Sequence, residues 1–170
     1  MAKAATVLTP EPHELKLKTG LDDRYRETMA RTLSEILSAN YQLTIKSHIY
    51  HWNVVGPLFK PIHDLTEEHY ETLFAASDVI AERIRALGHL APVDLAMAKS
   101  FAPSAQSVDQ LSGHRMVADL IESHESAVRQ IREAASAAGE AGDIVTEDML
   151  TARSGFHEKA IWMLSAIIAQ

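Results

Sequence analysis

Leu21, Tyr25, Met29, Leu33, Leu37, Tyr41, Thr44, His48, Trp52 and Val55 recur at steps of three and four residues, the spacing of one face of an α-helix. A stripe of that length predicts a long buried helix, ended by Gly56-Pro57. A second helix is predicted from about residue 59 to 87, with Ile62, Leu65, Leu73, Ala76, Ile80, Ile84 and Leu87 on its core side and Gly88 at its C-terminus. Pro61 is tolerated there only because it lies in the first turn. Val117, Leu120, Ile121, His124, Val128, Ile131 and Ala135 mark a third helix, opened by a capping box at Ser107 and Gln110. After a break at 139–142, Asp143 caps a fourth that carries Met149, Leu150, Phe156, Ile161, Leu164 and Ile167. No strand pattern or internal repeat competes. The predicted fold is all-α, a four-helix bundle.

The connections choose among bundles. Residues 89–106 form a crossover, with Pro92 and Pro103 flanking a short helix at Val93-Asp94-Leu95-Ala96-Met97. A link that long lets the third helix run parallel to the second, which is ferritin-like topology. Residues 1–20 read as a flexible, polar, proline-bearing tail and 21–170 as one domain.

Composition removes several classes of function. There is no cysteine, hence no disulfide or thiolate chemistry. No apolar run is long enough to span a membrane, and the first twenty residues lack the apolar core of a secretion signal, so a cytoplasmic location is expected. A formal net charge of -7 opposes a phosphate-binding surface and favours attraction of cations.

The chemistry-bearing residues lie on the second helix and at the end of the first. At 100° per residue, His63, Glu67, Asp78 and Glu82 fall within an arc of roughly 100°. They form two i,i+4 pairs, each able to hold a metal ion from one side. The pair centres are roughly 22 Å apart at a helical rise, so one chain cannot close the site. A two-fold axis near residues 72 and 73 resolves this. An antiparallel copy sets His63 opposite Glu82 and Glu67 opposite Asp78, and one isologous interface then makes two equivalent sites. His51 joins them: it lies six residues before Pro57 and His63 six after, so a hairpin turning at Gly56-Pro57 brings the two level. Imidazole and carboxylate without thiolate suit iron and other intermediate divalent ions, one or two per site.

His51-Trp52-Asn53, His63, Glu67 and Asp78-x-x-x-Glu82-Arg83, with His157-Glu158-Lys159 and Trp162-Met163-Leu164 further on, resemble the ferroxidase signature of the Dps family. These mini-ferritins are also called DNA-binding proteins from starved cells. The resemblance covers residues 21 to 170. It implies that His51 binds iron together with Asp78 and Glu82 of a neighbouring subunit, while His63 and Glu67 serve a second, weaker position of a dinuclear site. It also implies that Trp52 beside the site takes up oxidising equivalents. The assembly implied is a hollow homododecamer that oxidises Fe(II), preferentially with hydrogen peroxide, and stores ferric mineral. Asp143 and Asp148 are implied candidates for an iron-entry pore. Two features depart from the pattern. Position 67 is Glu where relatives usually carry the shorter Asp, which bears on the second iron position. In the tail Lys3, Lys16 and Lys18 are offset by Glu11 and Glu14, so DNA binding is expected to be weak or absent.

The rival from another class is a nucleoid-compacting, nucleoid-associated DNA-binding protein whose metal site is mainly structural; a plain helical bundle without metal is the third reading. His48, three residues before His51, is either a support behind the ligands or simply buried, the latter being favoured. His157 is a candidate to hydrogen-bond a ligand from behind. His69 points away from the ligand stripe, and His13, His89 and His114 lie in or near loops; none is assigned.

Overall fold

The computed structural model describes residues 12–92 and 111–169. Helices α1 (Asp23–Asn53), α2 (Phe59–Ala86), α3 (Gly113–Glu140) and α4 (Ile144–Ile168) follow in that order. The tight links after α1 and α3 make two antiparallel hairpins, α1 against α2 and α3 against α4, joined chiefly through α1 and α3. The short helix expected at 93–97 and the capping box at Ser107 and Gln110 lie outside the described residues. The third helix begins at Gly113, with Ser112 accepting from the Arg115 amide, and Asp143 caps α4 through the Thr146 amide. No described helix is long and apolar enough to cross a membrane.

All seven core residues expected on α2 are buried. On α1 the expected stripe holds from Met29 to Leu37 and again at Thr44, and then slips. Trp52 and Val55 are 68% and 78% exposed, and the buried line runs instead through Leu43, Ser47, Tyr50 and Val54. Aromatic and branched residues satisfy the same three- and four-residue spacing on two adjacent faces, and periodicity alone cannot say which face meets the bundle.

The core has two apolar halves. One is built on Leu33, Ile36, Leu37, Ile80, Ile84 and Leu150, the other on Leu43, Leu65, Leu73, Val117, Leu120 and Leu164. Between them on α1 and α2 lie buried Asn40 and Ser77, with Asn40 Nδ2 donating to Leu73 O at 2.7 Å and to Ser77 Oγ at 2.8 Å. On α3 and α4 the same layer holds His124 and His157.

The end of α2 is closed by a Schellman turn. Gly88 N–H donates to Arg85 O and His89 N–H to Ile84 O, with Gly88 at φ 98°. Arg26, buried against the turn, donates to Leu87 O. Part of the expected tail is held here: Leu15 N–H donates to Gly88 O at 2.7 Å, Arg85 donates to His13 O, and His89 meets Glu14 at 3.0 Å. A methyl group on Gly88 would stand 2.4 Å from Leu15 O. Gly88→Ala is therefore expected to cost roughly 1–3 kcal/mol through backbone strain and to free residues 12–18. Thermal unfolding and the rate of proteolysis after Lys16 and Lys18 measure the two effects.

Candidate metal centre

His51 stands in the last turn of α1 and His63 in the second turn of α2. Their rings stack at 3.7 Å between centroids. Each ring is clamped by the other's backbone: His51 Nδ1 lies 2.8 Å from His63 O, and His63 Nδ1 lies 3.0 Å from His51 O. A carbonyl only accepts, so both Nδ1 atoms carry the hydrogen, and in the neutral rings both Nε2 atoms hold free lone pairs. The hairpin thus delivers two imidazoles at one level, with tautomer and orientation set by backbone groups. Thr66 Oγ1 packs beneath them, donating to Ile62 O and His63 O.

Glu67, one turn beyond His63, is exposed, as are Asp78 and Glu82 further along α2. Among the described residues of a single chain, no three ligating side chains converge on one point. Asp78 borders a hollow of about 650 Å³ whose wall includes Leu37, Tyr41, Phe74, Ala75 and Pro92. Phe74 and Val79 project from the same helix, 64% and 50% exposed, and Phe59 is 43% exposed at its start.

Rings extend the site sideways. Tyr70 meets His51 edge-on at 5.4 Å and packs at a tilt on His48 at 3.8 Å, and His48 stacks on Trp52 at 5.4 Å. His48 is half-buried, and burial, then the neighbouring His51, lowers its pKa. Trp52, expected beside the ligands, is joined to His51 in this chain through Tyr70 and His48.

His157 sits elsewhere. It is buried in the core, where its Nδ1 lies 2.9 Å from His124 Nδ1, so its hydrogen bond serves another core histidine rather than a ligand behind the site. His69 is buried beside them, edge-on to His124 at 5.1 Å. Burial, with smaller contributions from neighbouring cations, lowers the pKa of His69 to about 4 and of His157 to about 3, and holds that of His124 well below its ordinary value. The sequence held a signal for this cluster. The apolar line of α2 jumps from Leu65 to Leu73, and His69 occupies the missing turn.

Asp143 is buried and fully engaged. It accepts from Arg83 Nη2 at 2.7 Å, Tyr25 OH at 2.9 Å, Thr146 Oγ1 at 2.6 Å and the Thr146 amide. Burial alone would raise its pKa, but hydrogen bonds from Thr146 and Arg83 outweigh burial and the net shift is downward. Its oxygens are occupied by the α2–α4 junction and are not open to a passing ion. Asp148, one turn into α4, is exposed.

Residues 30–170 match the ferritin-like domain. The chain is 38% identical to a low-temperature-induced protein of Nostoc sp. over 90% of its own length and 87% of that protein's. It superposes on Dps from Thermosynechococcus elongatus with a TM-score of 0.79 and 31% identity, covering 86% of this chain and 94% of that one. It also superposes on a Dps protein from Vibrio cholerae, described as a ferritin-like diiron-carboxylate protein, with a TM-score of 0.78 and 27% identity over 86% and 92% of the two chains. With its four-helix bundle and its histidine-carboxylate surface on α1 and α2, this chain belongs to the Dps family of ferritin-like proteins.

Proposed function

We propose that the protein is a ferroxidase that stores iron and removes peroxide, oxidising Fe(II) preferentially with hydrogen peroxide at sites shared between two copies of the chain. The observation that carries this reading is the reciprocal clamp of His51 and His63, which engages both Nδ1 atoms and leaves both Nε2 atoms as candidate nitrogen ligands. Family membership supports iron storage and protection at the coarser level.

The substrate is Fe(II), and the residues divide the work. His51 and His63 supply nitrogen ligands, Glu67 oxygen ligands on the same copy, and Asp78 and Glu82 oxygen ligands from the copy across the two-fold axis. Three carboxylates lower the charge of the occupied site and favour ferric over ferrous iron. Two irons then deliver the two electrons that hydrogen peroxide needs to become two hydroxide ions, with no one-electron product set free. The exposed Phe74, on the ligand stripe of α2, buries itself in the two-fold contact, and such dimers build the hollow dodecamer. Asp148 keeps the pore assignment, while Asp143 holds the helix that carries it. Trp52 serves as a redox outlet at the edge of the site. A net charge of -7 fits a cytoplasmic iron store with weak or absent DNA binding.

The direct test is anaerobic loading with two Fe(II) per site, followed by stoichiometric hydrogen peroxide or by air, with ferric absorbance recorded in time. Rapid oxidation by peroxide and slow oxidation by air are expected. Rates equal to those of free iron with both oxidants would remove the ferroxidase reading.

A further inference from the structure

The ligand stripe of α2 carries an oxidisable ring as well as ligands. Tyr70 stands seven residues after His63 and three after Glu67, which puts all three within an arc of about 60° around the helix. Its half-buried ring meets His51 edge-on at 5.4 Å between centres and His48 at 3.8 Å, and His48 continues to Trp52 at 5.4 Å. A series of rings thus leads from a proposed iron ligand to an indole that is 68% exposed. Tyr25 and Tyr50 are engaged elsewhere, their hydroxyls donating to Asp143 and Asp119.

Electron counting gives such a ring work to do. Hydrogen peroxide takes two electrons, and a site that holds a single Fe(II) supplies one. Unless the protein gives the other, a hydroxyl radical is left. No cysteine is present to give it. The charges of Glu67 and Glu71 act on the Tyr70 hydroxyl, and negative charge beside a ring favours removal of an electron from it.

We propose that Tyr70 is the electron donor of a half-filled site, and that the oxidising equivalent passes from it to Trp52 across the ring of His48. The inference rests on the ferroxidase reading above. In the first step Fe(II) becomes Fe(III), and the phenol of Tyr70 becomes a neutral phenoxyl radical as its proton leaves to solvent. The two electrons break the O–O bond of peroxide, which with one proton yields one hydroxide ion and one water molecule. In the second step the phenoxyl takes an electron from the indole of Trp52 and a proton from solvent, while the indole loses its N–H proton to solvent. His48 is not itself oxidised; its ring spans the space between donor and acceptor. The oxidising equivalent ends on an exposed side chain rather than on a ligand.

The test separates the relay from the iron chemistry. In the metal-free assembly carrying Trp162→Phe, Trp52 is the single indole, and azide radicals made by pulse radiolysis oxidise it. Decay of the indolyl absorbance with matching growth of the phenoxyl absorbance, at a rate independent of protein concentration, is expected. Adding Tyr70→Phe or His48→Leu should abolish that transfer. Transfer unchanged in either variant would overturn the relay, whatever the protein does with iron. In the second measurement, one Fe(II) per site meets one equivalent of hydrogen peroxide and the sample is rapidly frozen. Electron paramagnetic resonance is expected to show a phenoxyl radical in the wild-type protein that Tyr70→Phe removes, with hydroxyl adducts of a spin trap rising in its place. Iron oxidised without a phenoxyl radical in the wild type, or the same radical in the variant, would also sink the idea.

Discussion

Two inactive variants are expected to restore each other when they share a dimer. His51→Ala/His63→Ala removes the nitrogen half of the proposed site, and Asp78→Ala/Glu82→Ala removes the carboxylate half. Each particle alone should lose peroxide-dependent iron oxidation by at least about 100-fold, since truncating ligands leaves neither iron position with its donor set. In a mixed dimer the two lesions fall together at one site and leave the other whole. If the variants are unfolded together and reassembled at equal amounts, half of the dimers are mixed and half of the sites in each mixed dimer are intact. Activity should therefore return to about a quarter of wild type, the statistical yield of an isologous two-fold contact. Stopped-flow absorbance after reassembly measures it. No recovery, with dimers shown to be mixed by mass, would refute the shared site. The prediction rests on the clamp at His51 and His63 and on the separation of the two pairs along α2.

Acid should weaken the bundle well above the range in which carboxylates titrate. His124 and His157 are buried and face each other at 2.9 Å. Burial keeps both rings neutral, His157 down to about pH 3. In the unfolded chain a histidine titrates near 6.5, so the unfolded state binds more protons at any pH between those limits. Stability contributed by these groups is intact above about pH 6.5 and falls as the pH drops below it. At pH 5 the loss is roughly 2 kcal/mol for His157, at 1.36 kcal/mol per unit, and His124 and His69 add losses of the same sign. That is a large fraction of the 5–15 kcal/mol typical of a domain. Asp143, whose pKa is already below 3.8, adds its own loss only at lower pH, so the first phase belongs to the histidines. Urea unfolding at pH 7.5 and 5.0 measures the difference. His124→Leu/His157→Leu removes both partners together, which can be nearly neutral at pH 7.5, and should reduce the pH dependence to the part that His69 contributes. An equal pH dependence in that variant would assign the effect elsewhere.

The candidate site was legible in the sequence where geometry within one helix was enough. The α2 stripe follows from 100° per residue, and the family signature rests on the same residues. The level of His51 with His63 follows from a turn centred between them. What spacing could not supply is the pair of backbone carbonyls that orient the rings, because those depend on the approach of α1 to α2 across Val54 to Leu58. Residue order also left His157 as a candidate behind the site. Only the packing of α3 on α4 shows it turned toward His124.

The helices, the core side of α2 and the distance between the two candidate pairs along it are legible in residue order alone. These are properties of a periodic backbone, and they survive without knowledge of any neighbour. The tertiary structure decided which of two adjacent faces on α1 is buried past Tyr41, leaving Trp52 and Val55 exposed. It also closed Asp143 into a network with Arg83, Tyr25 and Thr146 and gathered His69, His124 and His157 inside the bundle. Each of those outcomes joins residues far apart in the chain, and the burial that sets their charge and pairing exists only once the helices pack.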